Sequence, residues 1–121
     1  MKNILLVEDD PFLVEIYNTK LKDSGFEVDT ATDGEECLKK IGEKKPDIIL
    51  LDIVLPNTNG WEILRKVGKD ENLKTVKIIV LSNLSQKEEV DKGMQLGAVK
   101  FLIKSHFSPS EVVEEIKKII A

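Results

Sequence analysis

Apolar residues in this chain fall into short continuous runs, separated by longer segments in which they recur every three or four positions. The runs are Asn3 to Val7, Asp47 to Leu51, Lys77 to Leu81 and Val99 to Ile103. Nearly unbroken runs of this length suit strands buried on both faces of a parallel sheet. The stretch from Phe26 to Thr30 alternates instead, which predicts an edge strand. The intervening segments carry helix signals. Asp10 can cap a first helix that opens with Pro11, turns Leu13, Ile16, Tyr17 and Leu21 inward, and ends before Gly25. Asp33 and Glu36 predict a capping box before Cys37, Leu38 and Ile41. A third helix begins near Gly60 and buries Leu64 and Val67. Ser85 with Glu88 is expected to cap a fourth, ending before Gly97. Ser108-Pro109-Ser110-Glu111 opens a fifth, with Val112, Ile116 and Ile119 on one stripe.

Strand and helix alternate five times. That pattern predicts an α/β fold, doubly wound: a five-stranded parallel sheet with helices on both faces. An edge position for the second strand gives the order 2-1-3-4-5. The first and third strands then flank the switch point, with Asp9 and Asp52 facing each other across it. The chain contains no internal repeat, linker or low-complexity stretch, so residues 1–121 read as one domain.

Composition narrows the class. With 41% hydrophobic and 33% charged residues, the chain is of the soluble globular type. Its net charge of −4 and lack of a basic tract argue against direct binding to nucleic acid or to a membrane surface. No apolar stretch approaches the roughly 20 residues of a membrane span. The first strand starts too early to leave room for a signal peptide. One Cys and one His point away from disulfides and from zinc, and a cytoplasmic location is expected.

The candidate chemistry lies where the runs stop. They end at Glu8-Asp9-Asp10, at Asp52, at Ser82 and at Lys104. In a parallel sheet of this order, all four ends meet at one rim. Glu8, Asp9 and Asp52 would repel one another, and a hard divalent cation such as Mg²⁺ would relieve that repulsion. The ion would also neutralise an incoming phosphoryl group, so that an anionic carboxylate could attack it. Lys104 would pair with Asp52 at rest and with phosphoryl oxygens afterwards. Ser82 would donate a hydrogen bond to one of those oxygens.

Val7-Glu8-Asp9-Asp10-Pro11, Asp52 with Pro56 and Gly60 downstream, Leu81-Ser82, Gly97-Ala98 and Phe101-Leu102-Ile103-Lys104 stand in order and at matching spacings. In these pieces, over essentially its whole length, the chain resembles the receiver domain of two-component response regulators, the CheY-like family. The resemblance implies a flavodoxin-like three-layer sandwich and a phosphorylation-activated signalling switch. It makes Asp52 the phosphoacceptor, Asp9 a direct metal ligand, Glu8 a ligand through water, and the backbone carbonyl of Val54 a further ligand. The implied cofactor is Mg²⁺, with Mn²⁺ as an alternative. Ser82 takes the switch hydroxyl position and Phe101 the switch aromatic position. The implied partners are a sensor histidine kinase or phosphotransfer protein, and a downstream protein bound by the fourth-helix, fifth-strand and fifth-helix face. Since the chain stops after the fifth helix, a protein surface is the expected output. The domain is expected to assist its own phosphorylation and dephosphorylation without being an enzyme acting on other substrates.

Four features depart from the family's usual pattern. Asn83 follows Ser82 where a small residue is typical. Ser105 replaces a proline after Lys104, and a cis peptide there would cost about 3 kcal/mol more than trans. The connection Ser105-His106-Phe107 is one residue longer than usual. Phe101 lacks the hydroxyl of tyrosine, so its switching would rest on packing. Other residues read more plainly: Cys37 as a core residue, His106 as a loop residue, and Trp61 as packing for the third helix and a nearby fluorescence reporter. Two alternatives fit less well. A haloacid-dehalogenase-type phosphatase would carry an Asp-x-Asp nucleophile motif after the first strand. A flavin binder would need a phosphate loop there, which three carboxylates would repel.

Overall fold

The computed structural model describes residues 2–56 and 59–120; the two ends of the expected 1–121 domain lie outside them. The elements alternate: β1 (Asn3–Val7), α1 (Pro11–Asp23), β2 (Glu27–Ala31), α2 (Gly34–Glu43), β3 (Ile48–Leu51), α3 (Gly60–Lys69), β4 (Lys77–Ser82), α4 (Lys87–Gln95), β5 (Lys100–Ile103) and α5 (Pro109–Ile120). The strands form one five-stranded parallel sheet in the order β2-β1-β3-β4-β5, as the apolar pattern predicts.

The period-two geometry of the strands divides their side chains between two cores. Leu5, Val7, Ile49, Leu51, Ile78 and Val80 pack with residues of α2 and α3, including Cys37, Ile41, Ile63, Leu64 and Val67. Ile4, Leu6, Ile48, Leu50, Ile79, Leu81 and Leu102 pack with Tyr17 and Leu21 of α1 and with Val112, Val113 and Ile116 of α5. The alternation of β2 matches its edge position, with Glu27 and Asp29 exposed.

The caps follow the local chemistry with two changes. Asp10 accepts from the Phe12 amide at 2.9 Å, and Ser108 and Glu111 form a reciprocal box at the start of α5. Asp33 caps α2 through the Glu36 amide, but the Glu36 carboxylate reaches back to Thr32 rather than to Asp33. The fourth helix corrects the expectation of a Ser85 cap. It starts two residues after Ser85, with the Gln86 amide donating to Glu89 at 3.0 Å. The pair three apart that closes is thus Gln86–Glu89, one residue along from Ser85–Glu88. After β5, Lys104–His106 forms a 3-10 turn, and no cis peptide occurs among the described residues.

Candidate functional site

Register brings the site together. Val7 pairs with Leu51, and Ser82 with Ile103, so the residues that follow emerge on the same rim. The Glu8 amide donates to Ala31 O, and the Asp52 amide to Val7 O, both at 3.0 Å, which carries the ladder one step past the strands. Carboxylate oxygens of Glu8, Asp9 and Asp52 lie within 4.8 Å of one another. Lys104 reaches over from the end of β5. Its Nζ stands 2.8 Å from Asp52 Oδ2 and 2.5 Å from Glu8 Oε1. Asp52 Oδ1 accepts from the Val54 amide at 3.1 Å. Leu13, Val54, Ser82 and Asn83 complete the wall of the pocket.

The acidic residues are not equivalent. Glu8 is 2% exposed and Asp52 6%, whereas Asp9 is exposed. Asp52 is therefore more enclosed than a solvent-open rim position. Asp10, the remaining acid of the loop, caps α1. The Glu8 carboxylate pairs with Lys104 and accepts from the Asp10 amide. Burial raises the Glu8 pKa above the ordinary carboxylate range, and these two bonds offset only part of that rise. For Lys104, burial works to lower the pKa, but the hydrogen bonds to Asp52 and Glu8 outweigh it and the pKa is raised. The ammonium is thus held in its charged form between two carboxylates. Tyr17 is close enough to this group to feel its charges, though burial is the main reason that its pKa is raised.

The backbone around Asp52 is clamped by Gly60. A Cβ there would stand 2.5 Å from Ile53 Cα and 2.6 Å from Asp52 O. The Gly60 amide donates to Ile53 O at 2.7 Å. Only glycine lets the first turn of α3 lie this close to the Asp52 backbone. Ser82 is fully buried, and its Oγ accepts weakly from the Leu84 amide at 3.4 Å. Phe101 is half-buried against the α2–α3 core. Trp61 is found against α4, with Lys92 over its ring, rather than in the pocket.

Three carboxylates around one opening, two of them buried, form an oxygen donor set suited to a hard divalent ion that keeps some of its waters. A buried carboxylate with an ammonium and a backbone N–H on its two oxygens is also held in one orientation. The response regulator receiver domain profile matches residues 4–117. The chain belongs to the response regulator receiver domain family. It is 38% identical over 121 residues to the alkaline phosphatase synthesis transcriptional regulatory protein PhoP of Bacillus subtilis (strain 168), covering 98% of this chain and 48% of that protein. It is 37% identical over 120 residues to the chemotaxis protein CheY of Thermotoga maritima, covering 98% of this chain and 97% of that one. Among solved structures, the Mn²⁺-bound form of response regulator Rcp1 superposes with a TM-score of 0.89 at 26% identity, covering 99% of this chain and 94% of that chain.

The chain is therefore a receiver domain of the two-component type, with the CheY-like sheet order. Receiver domains are regulatory, bind a divalent metal and work with histidine kinases and downstream targets. The chain spans about half the length of most curated relatives that it matches, though nearly all of the Thermotoga CheY. Several of those longer relatives are named transcriptional or DNA-binding regulators. The expectation of no nucleic-acid contact gains no support from them. No helix among the described residues is long and apolar enough to cross a membrane.

Proposed function

We propose that residues 1–121 form one receiver unit in which Asp52 accepts a phosphoryl group from the phosphohistidine of a sensor kinase or phosphotransfer protein, in a Mg²⁺-dependent reaction. One observation carries this reading. Asp52 is buried at the mouth of a carboxylate cluster, with Lys104 on one oxygen and the Val54 amide on the other. The bond formed joins a carboxylate oxygen to phosphorus. The bond broken joins phosphorus to the donor imidazole nitrogen, and the imidazole leaves with the electron pair.

Asp9, Asp52, the Val54 carbonyl and, through water, Glu8 would hold Mg²⁺, with Mn²⁺ able to substitute. The ion supplies charge neutralisation for the incoming phosphoryl oxygens. Lys104 orients Asp52 before transfer and then pairs with a phosphoryl oxygen, which requires it to give up part of its present contact with the carboxylates. Ser82 donates to another phosphoryl oxygen and draws the β4–α4 loop inward. Phe101 repacks in response. The output is a changed surface over α4, β5 and α5, recognised by a downstream protein in the cytoplasm. The unit assists its own phosphorylation and dephosphorylation and has no further substrate.

Intact mass after treatment with acetyl phosphate and Mg²⁺ tests the assignment. The parent should gain one phosphoryl group, and Asp52→Asn none, with folding checked by circular dichroism. Normal phosphorylation of the Asn variant would overturn the role of Asp52. Asp9→Ala should abolish Mg²⁺ binding followed by NMR, and undiminished binding would remove Asp9 from the ligand set.

A further inference from the structure

Phe101 owes its position to a residue without a side chain. A Cβ on Gly93 would stand 2.7 Å from Phe101 Cδ2, 3.0 Å from Cε2 and 3.8 Å from Trp61 Cζ3. Glycine is a poor helix-interior residue. Backbone conformation does not require it here, because Gly25 and Gly97 are the glycines of positive φ among the described residues. Space is the remaining reason, and the Phe101 ring occupies it. The neighbouring Lys92 places Nζ 4.4 Å from the Trp61 ring centroid, a cation–π distance. Trp61 follows Gly60, which lies against the backbone of Asp52 and Ile53. Trp61 of α3 and Phe101 of β5 thus meet at Gly93 of α4.

We infer that Gly93, Trp61 and Lys92 form a seat that couples Phe101 to α4, so that the ring does not shift without the helix. Gly93 supplies the space and Trp61 the wall, and Lys92 closes over the indole from the solvent side. Trp61 and Lys92 are positioning residues in this arrangement, since neither lines the pocket of Asp52. The seat takes its purpose from the switch proposed above, but its contacts do not depend on that proposal.

The test is a double-mutant cycle read by amide NMR in the unphosphorylated protein. In Gly93→Ala, the ring must retreat by about 0.7 Å (3.4 − 2.7) to regain ordinary contact. Amides of α4 and β5 should shift together. In a Phe101→Leu background, the same substitution should produce less than half that shift. An equal effect in both backgrounds would reduce Gly93→Ala to helix propensity and overturn the seat. A second arm uses the exposed Lys92→Gln, which carries the test should Gly93→Ala not fold. With acetyl phosphate and Mg²⁺, and intact mass confirming full phosphorylation, its α4 amides should move at most half as far as the parent's. An undiminished response overturns the coupling. If the parent takes no phosphoryl group at all, the switch reading fails, and the cycle in the unphosphorylated protein still decides the seat.

Discussion

Helices α4 and α5 flank β5 from opposite sides of the sheet, and they are held in different ways. α5 buries Val112, Val113 and Ile116 in the core shared with α1. Its C-terminal turn is tied down by Lys77, whose Nζ donates to Ile119 O at 3.0 Å, and its outer face by the Lys100–Glu115 pair at 3.0 Å. α4 buries only Gly93 among its residues, and Met94 is 45% exposed. Full burial of a branched aliphatic side chain contributes about 1.5–3 kcal/mol, and a glycine has no side chain to contribute. The helix nearest Phe101 is thus the one with the least apolar anchorage, while its counterpart across the sheet is firmly docked. Elements that move in regulation are drawn from the weakly held parts of a fold. Here the weakly held part is one helix, not a whole layer, since α2 and α3 on the same side bury Cys37, Ile41, Ile63, Leu64 and Val67.

The sharpest way to break this contrast is to ask which helix responds to phosphorylation. Acetyl phosphate with Mg²⁺ should shift amide resonances of α4 and β5 while the methyl groups of Val112, Val113 and Ile116 stay in place. In Asp52→Asn the whole response should vanish. Shifts of equal size in both helices would erase the distinction.

Stability gives a second measure. Ile116→Ala should cost about 2–5 kcal/mol by urea unfolding. Val90→Ala, at a half-buried position of the largely exposed α4, should cost no more than about 1 kcal/mol. Similar costs at the two sites would mean that α4 is better anchored than its burial indicates.

A third comparison concerns the lifetime of the shifted state. Val54 is 62% exposed at the pocket mouth, and Leu84 is half-buried in the loop leading to α4. Neither side chain can orient a water in line behind phosphorus, so a long-lived acyl phosphate is expected. Val54→Asn combined with Leu84→Glu should speed its loss roughly 10-fold, or about 1.4 kcal/mol in barrier. Phosphate release no faster than in the parent would place control of water elsewhere.

A pH titration tests whether the layer beside α4 is well closed at α2. Burial pushes the Cys37 thiol from 9.0 up to about 12. The folded chain keeps this proton where the unfolded chain releases it. Stability should therefore fall as pH rises between about 9 and about 12, by about 1.4 kcal/mol per pH unit within the window. Cys37→Ala should remove that component of the slope, and an unchanged slope would mean that Cys37 titrates normally in the fold.

Much of this could be read from short stretches of chain. The runs around Leu5, Ile49 and Ile79 and the caps at Asp10, Asp33 and Ser108 depend on neighbours within a few positions, so their elements were legible. The meeting of Asp9, Asp52 and Lys104 was also legible, because parallel strands place their ends on one rim. The start of α4 was not. Ser85 and Gln86 each have a glutamate three residues on, and local pattern does not rank them. The attachment of Glu8 to Lys104 was missed for a different reason. A flexible lysine reaching two buried carboxylates can divide its contacts only once their distances and burial are set.

What the amino-acid order determines by itself is the sheet, its order and the set of groups on its rim, since these follow from the periods of two and 3.6 and from where each run stops. Tertiary structure alone decides how those groups share their charges and how α4 is seated. Lys104 and Asp52 lie 52 positions apart, and their 2.8 Å contact exists only in the assembled sheet. Gly93 reads in sequence as a weak point in a helix. Its meaning as space for Phe101 arises only when β5 and α4 are packed together, because the volume a missing side chain leaves is defined by whatever the fold brings beside it.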